Sequence, residues 1–228
     1  MKPERIGLLG GTFDPVHVGH IELAKAALSE CRLDRVVFIP AAHPPHKNGA
    51  RVLNFAHRLA MLRLATENHQ QFSCCSIEAR LPPPTYTIDT LHALRRTCPA
   101  GDFFFIIGSD AFLDLLSWKS YREILGLVEL VLAQRAGSDH QEICAFLAKI
   151  GYSSRDGNWQ GRGGLKTVTL LKTIPVPISS STIRELLNKG KATEEFLPEL
   201  VQAYIHAHRL YRIPQKGDRE TEEGSLYG

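Results

Sequence analysis

The chain alternates between short, continuously apolar runs and longer stretches in which apolar residues recur every three or four positions. The runs Ile6–Leu9, Val36–Ile39, Phe72–Ile77, Phe103–Ile107, Val128–Leu132 and Val168–Leu171 read as strands. Between them, Val18–Leu28, Phe55–Ala65, Ile88–Leu94 and Ile143–Ile150 carry the spacing of amphipathic helices. Strands that alternate with helices imply an α/β fold: a doubly wound, mostly parallel sheet with helices on both faces. Ligands of such sheets sit beyond the carboxyl ends of the strands, where the strand order reverses. The informative polar residues here cluster just after strands. No internal repeat is present. Residues 1–212 are expected to form a single domain. Residues 213–228 are polar, contain Pro214 and four acidic side chains, and are expected as a loose tail.

Composition narrows the picture. A chain of 228 residues can bury a full core. Its formal charge of +3 is too mild to imply nucleic-acid binding, and no dense basic stripe occurs. Arg95-Arg96, the one adjacent basic pair, reads as a solvated helix face, as do Arg58 and Arg63. The five cysteines are odd in number and form no Cys-x-x-Cys pair, which fits reduced thiols in a cytoplasmic setting. Lys2, Glu4 and Arg5 precede an apolar run too short for a signal peptide, and nothing approaches transmembrane length. A homo-oligomer remains open.

The chemistry is expected around Gly10-Gly11-Thr12-Phe13-Asp14-Pro15-Val16-His17-Val18-Gly19-His20. A strand that ends in two glycines leaves its sheet through a tight turn, and a backbone without Cβ can approach a bulky anion. His17 stands at the entrance of the following helix and His20 in its first turn, so both imidazoles can point where unpaired amides converge. Helix starts attract anions. A metal bound by His-x-x-His and a purely structural histidine pair are the competing readings; no acidic or cysteine ligand accompanies the pair. Asp14-Pro15 reads as turn chemistry, since a carboxylate repels phosphate.

Three further loops follow strands. Pro40 to Lys47 contains His43, His46, Lys47 and two adjacent prolines, a stiff wall for a pocket. A metal held by His43 and His46 is the lesser reading. Pro82-Pro83-Pro84-Thr85-Tyr86-Thr87 forbids helix before Ile88, and Thr85 or Thr87 can cap the helix that follows. Gly108-Ser109-Asp110 offers an open backbone and a carboxylate that can take ribose hydroxyls or cap a helix over Ala111–Leu116. Trp118 follows that helix. Gly151–Gly164 has the composition of a phosphate loop without its Gly-Lys-Ser/Thr ending, and is read as a flexible surface excursion. Last, Ile178-Ser179-Ser180-Ser181-Thr182-Ile183-Arg184-Glu185 marks another helix start, with Thr182 and Glu185 as a capping box and Arg184 leaning back toward free amides.

These strings together resemble the nicotinate-nucleotide adenylyltransferases of bacteria. The glycine-rich turn with His-x-Gly-His, Pro-Pro-His-Lys, Tyr-Thr-Ile-Asp-Thr-Leu and Ile-Ser-Ser-Ser-x-x-Arg all match, from about Arg5 to about Tyr211. The resemblance implies a Rossmann-like fold and transfer of an adenylyl group from ATP to nicotinate mononucleotide, giving deamido-NAD and pyrophosphate. It implies that His17 and His20 act on the ATP phosphates, with Gly10, Gly11, Thr12, Lys47, Gly108, Asp110, Ser180, Ser181 and Arg184 also on ATP. His43, Tyr86, Thr87 and Trp118 would frame the mononucleotide. Mg2+ would arrive with ATP, since the chain has no dedicated carboxylate cage. A sister enzyme using nicotinamide mononucleotide or phosphopantetheine is the alternative activity, and a non-catalytic nucleotide-binding regulator is the alternative of another class.

Overall fold

A computed structural model describes residues 2–43, 52–134, 140–155, 158–173 and 176–211. Strands β1 (Arg5–Gly11), β2 (Arg35–Pro40), β3 (Phe72–Cys74), β4 (Asp102–Gly108), β5 (Glu129–Ala133), β6 (Tyr152–Arg155), β7 (Asn158–Gly161) and β8 (Val168–Leu170) form one sheet in the order β3-β2-β1-β4-β5-β8-β7-β6. All neighbours from β3 to β8 are parallel, and β7 and β6 continue the sheet antiparallel. The order reverses between β1 and β4, so a crevice opens there at the carboxyl ends.

Alternation along the strands sorts the core into two layers. Leu9, Phe38, Phe104, Ile106 and Val131 face one side, with α1 (Val18–Glu30), α2 (Phe55–Thr66), α7 (Ser180–Asn188) and α8 (Glu199–Ala207). Ile6, Leu8, Val37, Phe103, Phe105, Ile107 and Leu130 face the other side. That side is covered by α3 (Thr87–Thr97), α4 (Ser109–Leu113), α5 (Tyr121–Leu127) and α6 (His140–Lys149). A central strand buried on both faces needs apolar residues at every position, which explains the unbroken run Phe103–Ile107. Cys74 and Cys75 likewise pack against opposite layers. All five cysteines are free thiols.

Several local expectations are corrected. The third strand stops at Cys74, and a 3-10 turn follows over Ile77–Arg80. The stretch from Gly151 to Gly164 contains the hairpin β6–β7, whose strands pair Arg155 with Asn158, so it extends the sheet instead of wandering over the surface. Gly161 has a packing role: a Cβ there would come within 2.4 Å of Leu165. Arg58 is only 2% exposed. Its Nε donates to the Leu53 carbonyl at 2.9 Å and its Nη1 to the Thr12 carbonyl at 2.7 Å, which ties α2 to the glycine-rich turn. Arg95 is half-buried, donates to the Gly101 carbonyl at 2.6 Å and lies over the Phe103 ring, while Arg63 and Arg96 are exposed. His46, Lys47 and the segment 213–228 lie outside the described residues.

Candidate active site

A cavity of about 720 Å³ opens beyond β1 and β4, at the point where strand order reverses. Its volume is in the range of small-molecule sites. One end is built by Gly10, Gly11, Thr12, His17, His20 and the start of α7; the other by Glu78, Thr85, Tyr86, Thr87, Trp118 and Lys119. Gly108 and Ala111 line the floor between them.

The glycine-rich turn is shaped by its own aromatic ring. Phe13 takes a left-handed conformation at φ 51 and is buried, and a Cβ on Gly11 would lie 3.0 Å from its ring. A side chain at position 11 would thus press on the buried Phe13 ring, whereas a Cβ on Gly10 would meet nothing closer than 3.7 Å. Phe13 in turn sets its ring edge-on to His20, centroids 4.9 Å apart. The His17 and His20 rings stack at 3.8 Å, and the His17 backbone N–H donates to His20 Nδ1 at 3.2 Å. Gly19 makes room for this stack, since its Cβ would come 3.0 Å from His17 and 3.2 Å from Ile178.

The α1 amides contribute less than expected. Val18 N–H donates to the Phe196 carbonyl, and the amides of His20 and Ile21 reach the His17 carbonyl. With three of its first four amides engaged, α1 presents mainly the imidazole pair. At α7 the cap is Ser179, whose hydroxyl accepts from Thr182 N at 3.1 Å, so Thr182 is not the N-cap and the expected capping box with Glu185 is absent. Ser180 and Ser181 open the helix, where amides have no intrahelical acceptor. The Ser180 hydroxyl donates to the Pro15 carbonyl at 2.9 Å, and Arg184 Nη1 donates to the Asp14 carbonyl at 2.7 Å. These two bonds dock the start of α7 onto the turn that leads into α1.

Asp14, read from sequence as turn chemistry, is a buried hub. It is 2% exposed and accepts from Tyr211 Oη at 2.7 Å and from Leu53 N at 3.3 Å. Burial first, and the Asp14 carboxylate second, push the Tyr211 phenol far above its ordinary range; burial pulls the Arg58 guanidinium down.

At the other end, α3 is capped by Tyr86, without any side-chain cap, so neither Thr85 nor Thr87 fills that role. Thr85 is buried and, with Thr90, donates its hydroxyl to the Glu78 carboxylate at 2.9 Å each. Glu78 also accepts from Ala42 N at 3.2 Å. One carboxylate therefore gathers the loop after β2, the proline-rich turn and α3. Trp118 lines the cavity, but its amide donates to the Leu115 carbonyl at 3.0 Å. Lys119 Nζ sits 3.0 Å from Asp89 and 4.7 Å above the Tyr86 ring.

Of the residues expected from sequence, the cavity brings together Gly10, Gly11, Thr12, His17, His20, Tyr86, Thr87, Gly108, Trp118 and Ser180. Four others stand beside it. Asp110 is exposed in the first turn of α4, whose N-cap is Gly108, and His43 is exposed on the loop after β2. Ser181 and Arg184 bond to each other at 3.1 Å next to the lining residue Ser180. Asp14, Glu78, Lys119 and Tyr211 carry no local signal as site residues, because Asp14 pairs with Tyr211 197 residues away, Glu78 with Ala42 36 away and Lys119 with Asp89 30 away; Ser179 caps α7 through Thr182, three residues on. Among the described residues, no group of three His, Cys, Asp or Glu side chains could hold a metal ion, and no helix is long and apolar enough to cross a membrane.

The stacked imidazoles of α1 and the Ser179-capped start of α7 meet over the crevice of a doubly wound sheet, a site suited to a phosphorylated nucleotide. A family model described as cytidylyltransferase-like matches residues 8–186, and the chain belongs to that family. It is 41% identical over 212 residues to a protein of Desulfotalea psychrophila named "Probable nicotinate-nucleotide adenylyltransferase", covering 91% of this chain and 100% of that one. A protein of the same name from Geobacter sulfurreducens is 40% identical, covering 91% and 98%. The Plasmodium falciparum nicotinic acid mononucleotide adenylyltransferase, solved in complex with NaAD, shares the fold with a TM-score of 0.71 at 19% identity, covering 91% of this chain and 97% of that one.

Proposed function

We infer that this chain is an enzyme of NAD biosynthesis that transfers the adenylyl group of ATP to nicotinate mononucleotide, giving deamido-NAD and pyrophosphate. The observation that carries the reading is the two-ended cavity: stacked imidazoles and the docked α7 start at one end, an indole, a phenol and an ion-paired lysine at the other. The first end suits the ATP phosphates; the second suits a flat pyridine ring on a phosphorylated ribose. The relatives named above support the same chemistry.

The 5′-phosphate of the mononucleotide is already an anionic nucleophile. One of its oxygens attacks the α-phosphorus as the bond to the bridging oxygen of pyrophosphate breaks. No general base is needed, so catalysis rests on alignment and on neutralising charge. His20 donates from Nε2 to the phosphate oxygens where charge develops, with the His17 ring holding it in place. The amides of Ser180 and Ser181, with the Arg184 guanidinium, receive the outgoing β- and γ-phosphates; the Ser180 hydroxyl is engaged by Pro15 and serves as a tie. Thr12 and Gly108 border ATP, and Lys47 and Asp110 are assigned peripheral roles toward its phosphates and ribose. Tyr86, Thr87 and Trp118 frame the mononucleotide, with His43 at the rim.

Nucleotidyl transfer of this kind calls for a divalent cation. Mg2+ would enter with ATP as the Mg–ATP substrate and would supply charge neutralisation at the phosphates. The free thiols suit a reducing compartment, the cytoplasm. Pyrophosphate release from ATP, measured with nicotinate mononucleotide, nicotinamide mononucleotide and phosphopantetheine as acceptors, tests the reading. Fastest release with nicotinate mononucleotide is expected; release only with phosphopantetheine, or with none, overturns it.

A further inference from the structure

We propose that Tyr211 is a positioning residue for the triphosphate end: by donating to Asp14 it keeps the Arg184 guanidinium beside the start of α7. The proposal rests on the assignment of Arg184 to ATP made above.

A carboxylate as deeply buried as that of Asp14 must be satisfied by donors. Its Oδ1 accepts from Tyr211 Oη at 2.7 Å, and its Oδ2 accepts from Leu53 N at 3.3 Å. Arg184 stands within reach but is not captured. Its Nη1 is 4.0 Å from Oδ2, and its hydrogen bonds run instead to the Asp14 main-chain oxygen and to Ser181 Oγ. The other nearby cation, Arg58, is tied by Nε and Nη1 to the carbonyls of Leu53 and Thr12. The tyrosine hydroxyl thus takes the place at Asp14 that a guanidinium would otherwise fill. A carboxylate that lost this donor would recruit Arg184 as a paired fork, since charge-assisted bonds of that geometry are the strong ones. The guanidinium would then leave Ser181 and the phosphate end.

Two features show that the tyrosine is held for this bond. Tyr211 adopts a left-handed backbone at φ 63, a conformation a bulky residue keeps only when its surroundings impose it. Its phenol, raised far above the ordinary range by burial and by Asp14, stays protonated and remains a donor throughout the working pH. The sequence separation is 197 residues, so the end of the described chain reaches back to the turn that begins the site.

The test compares Tyr211→Phe, Arg184→Lys and the double variant in the full chain, with KM measured separately for ATP and for nicotinate mononucleotide. Tyr211→Phe is expected to raise the ATP KM about tenfold, the scale of one lost charge-assisted bond, with the mononucleotide KM changed less than about twofold. If Tyr211 acts through Arg184, the double variant matches Arg184→Lys alone. A merely structural role would raise both KM values together or give additive losses, and either result overturns the proposal. An ATP KM that rises in Arg184→Lys but not in Tyr211→Phe removes the positioning role and leaves the phosphate assignment standing. An ATP KM unmoved by Arg184→Lys removes both. If Tyr211→Phe does not fold, it is made together with Asp14→Asn, which leaves no buried charge unpaired. A neutral amide cannot recruit Arg184, so the ATP KM of this pair must stay within about twofold of Asp14→Asn alone, and a larger rise overturns the proposal.

Discussion

The backbone N–H of His17 donates to Nδ1 of His20 at 3.2 Å, and this bond decides what His20 can do. An imidazole whose Nδ1 accepts carries its proton on Nε2, so the far nitrogen is a donor. The ring cannot swing away, because His17 stacks on one face at 3.8 Å and Phe13 meets it edge-on. A preorganised donor of this kind is worth about 10²–10³ in turnover. His20→Ala should lose that much in kcat while still folding, with the melting temperature lowered by a few degrees through the lost His17–His20 cap. His20→Gln, whose amide nitrogen can reach the Nε2 position, should recover part of it. Steady-state kinetics on the two variants decide the matter; near-normal turnover in His20→Ala would remove His20 from the mechanism.

Gly108 separates a ligand effect from a packing effect. Its φ of −78 suits any residue, and a Cβ there would meet no protein atom within 4 Å. The position lines the cavity, so the methyl group would enter the space that the proposed function assigns to ATP. Gly108→Ala should therefore leave stability within about 0.5 kcal/mol, the usual range for a substitution that disturbs no packing. It should raise the ATP KM severalfold. Thermal melts and ATP titrations check both halves, and unchanged ATP affinity would place the nucleotide elsewhere in the cavity.

The fold was legible where periodicity is local. Strand runs such as Phe103–Ile107 and the helix from Val18 announce themselves within a few residues, and the glycine-rich turn and the serine run locate the site. What escaped depends on partners distant in sequence. Arg58 looks like a solvent-facing helix residue until Thr12 and Leu53 present carbonyls to it. Asp14 looks like a turn residue until Tyr211 arrives from the other end of the chain. The hairpin β6–β7 did leave a signal, because Asp156-Gly157 between its strands is a dipeptide favoured in two-residue hairpin turns.

Glu78 provides a graded test of the acceptor end. Its Oε2 accepts from Thr85 Oγ1 and Ala42 N, and its Oε1 from Thr90 Oγ1. In Glu78→Gln the amide oxygen can keep the first two donors. Thr90 can then turn its hydroxyl fully toward the Tyr86 carbonyl, 3.3 Å away, and accept from the new NH2. Glu78→Gln should thus raise the mononucleotide KM only about two- to threefold. Glu78→Ala takes the acceptor from the Ala42 amide and leaves the Thr85 and Thr90 hydroxyls only the longer bonds to the His43 and Tyr86 carbonyls, so the three segments come apart and the mononucleotide KM should rise about tenfold or more, with the ATP KM little changed. Equal effects of the two variants, or a rise in both substrates' KM, would contradict the assignment of this carboxylate to the acceptor end.

The last expectation is a preference for nicotinate over nicotinamide mononucleotide. The two acceptors share one shape, so size cannot separate them, and the pocket must read charge and hydrogen-bond direction. A carboxylate only accepts, whereas the NH2 of a carboxamide only donates. Thr87 is the first residue of α3, so its amide has no intrahelical acceptor and can face the ligand. The Trp118 amide is engaged by Leu115, which leaves the indole as a stacking surface. Lys119 adds a cation at this end, shared with Asp89 at 3.0 Å. A carboxylate would draw that cation, while a carboxamide would set its NH2 against both the ammonium and the Thr87 amide. An unsatisfied buried polar group costs about 1–3 kcal/mol, and the lost charge-assisted bonds add to this. The preference should reach at least about a hundredfold in kcat/KM, and Lys119→Met should reduce it by weakening use of the acid more than use of the amide. Competition between the two mononucleotides at equal concentration, in the parent and in Lys119→Met, measures both effects. Comparable efficiency for the two acceptors in the parent would mean that the pocket does not read the carboxylate, and an unchanged ratio in Lys119→Met would leave the discrimination to the Thr87 amide alone.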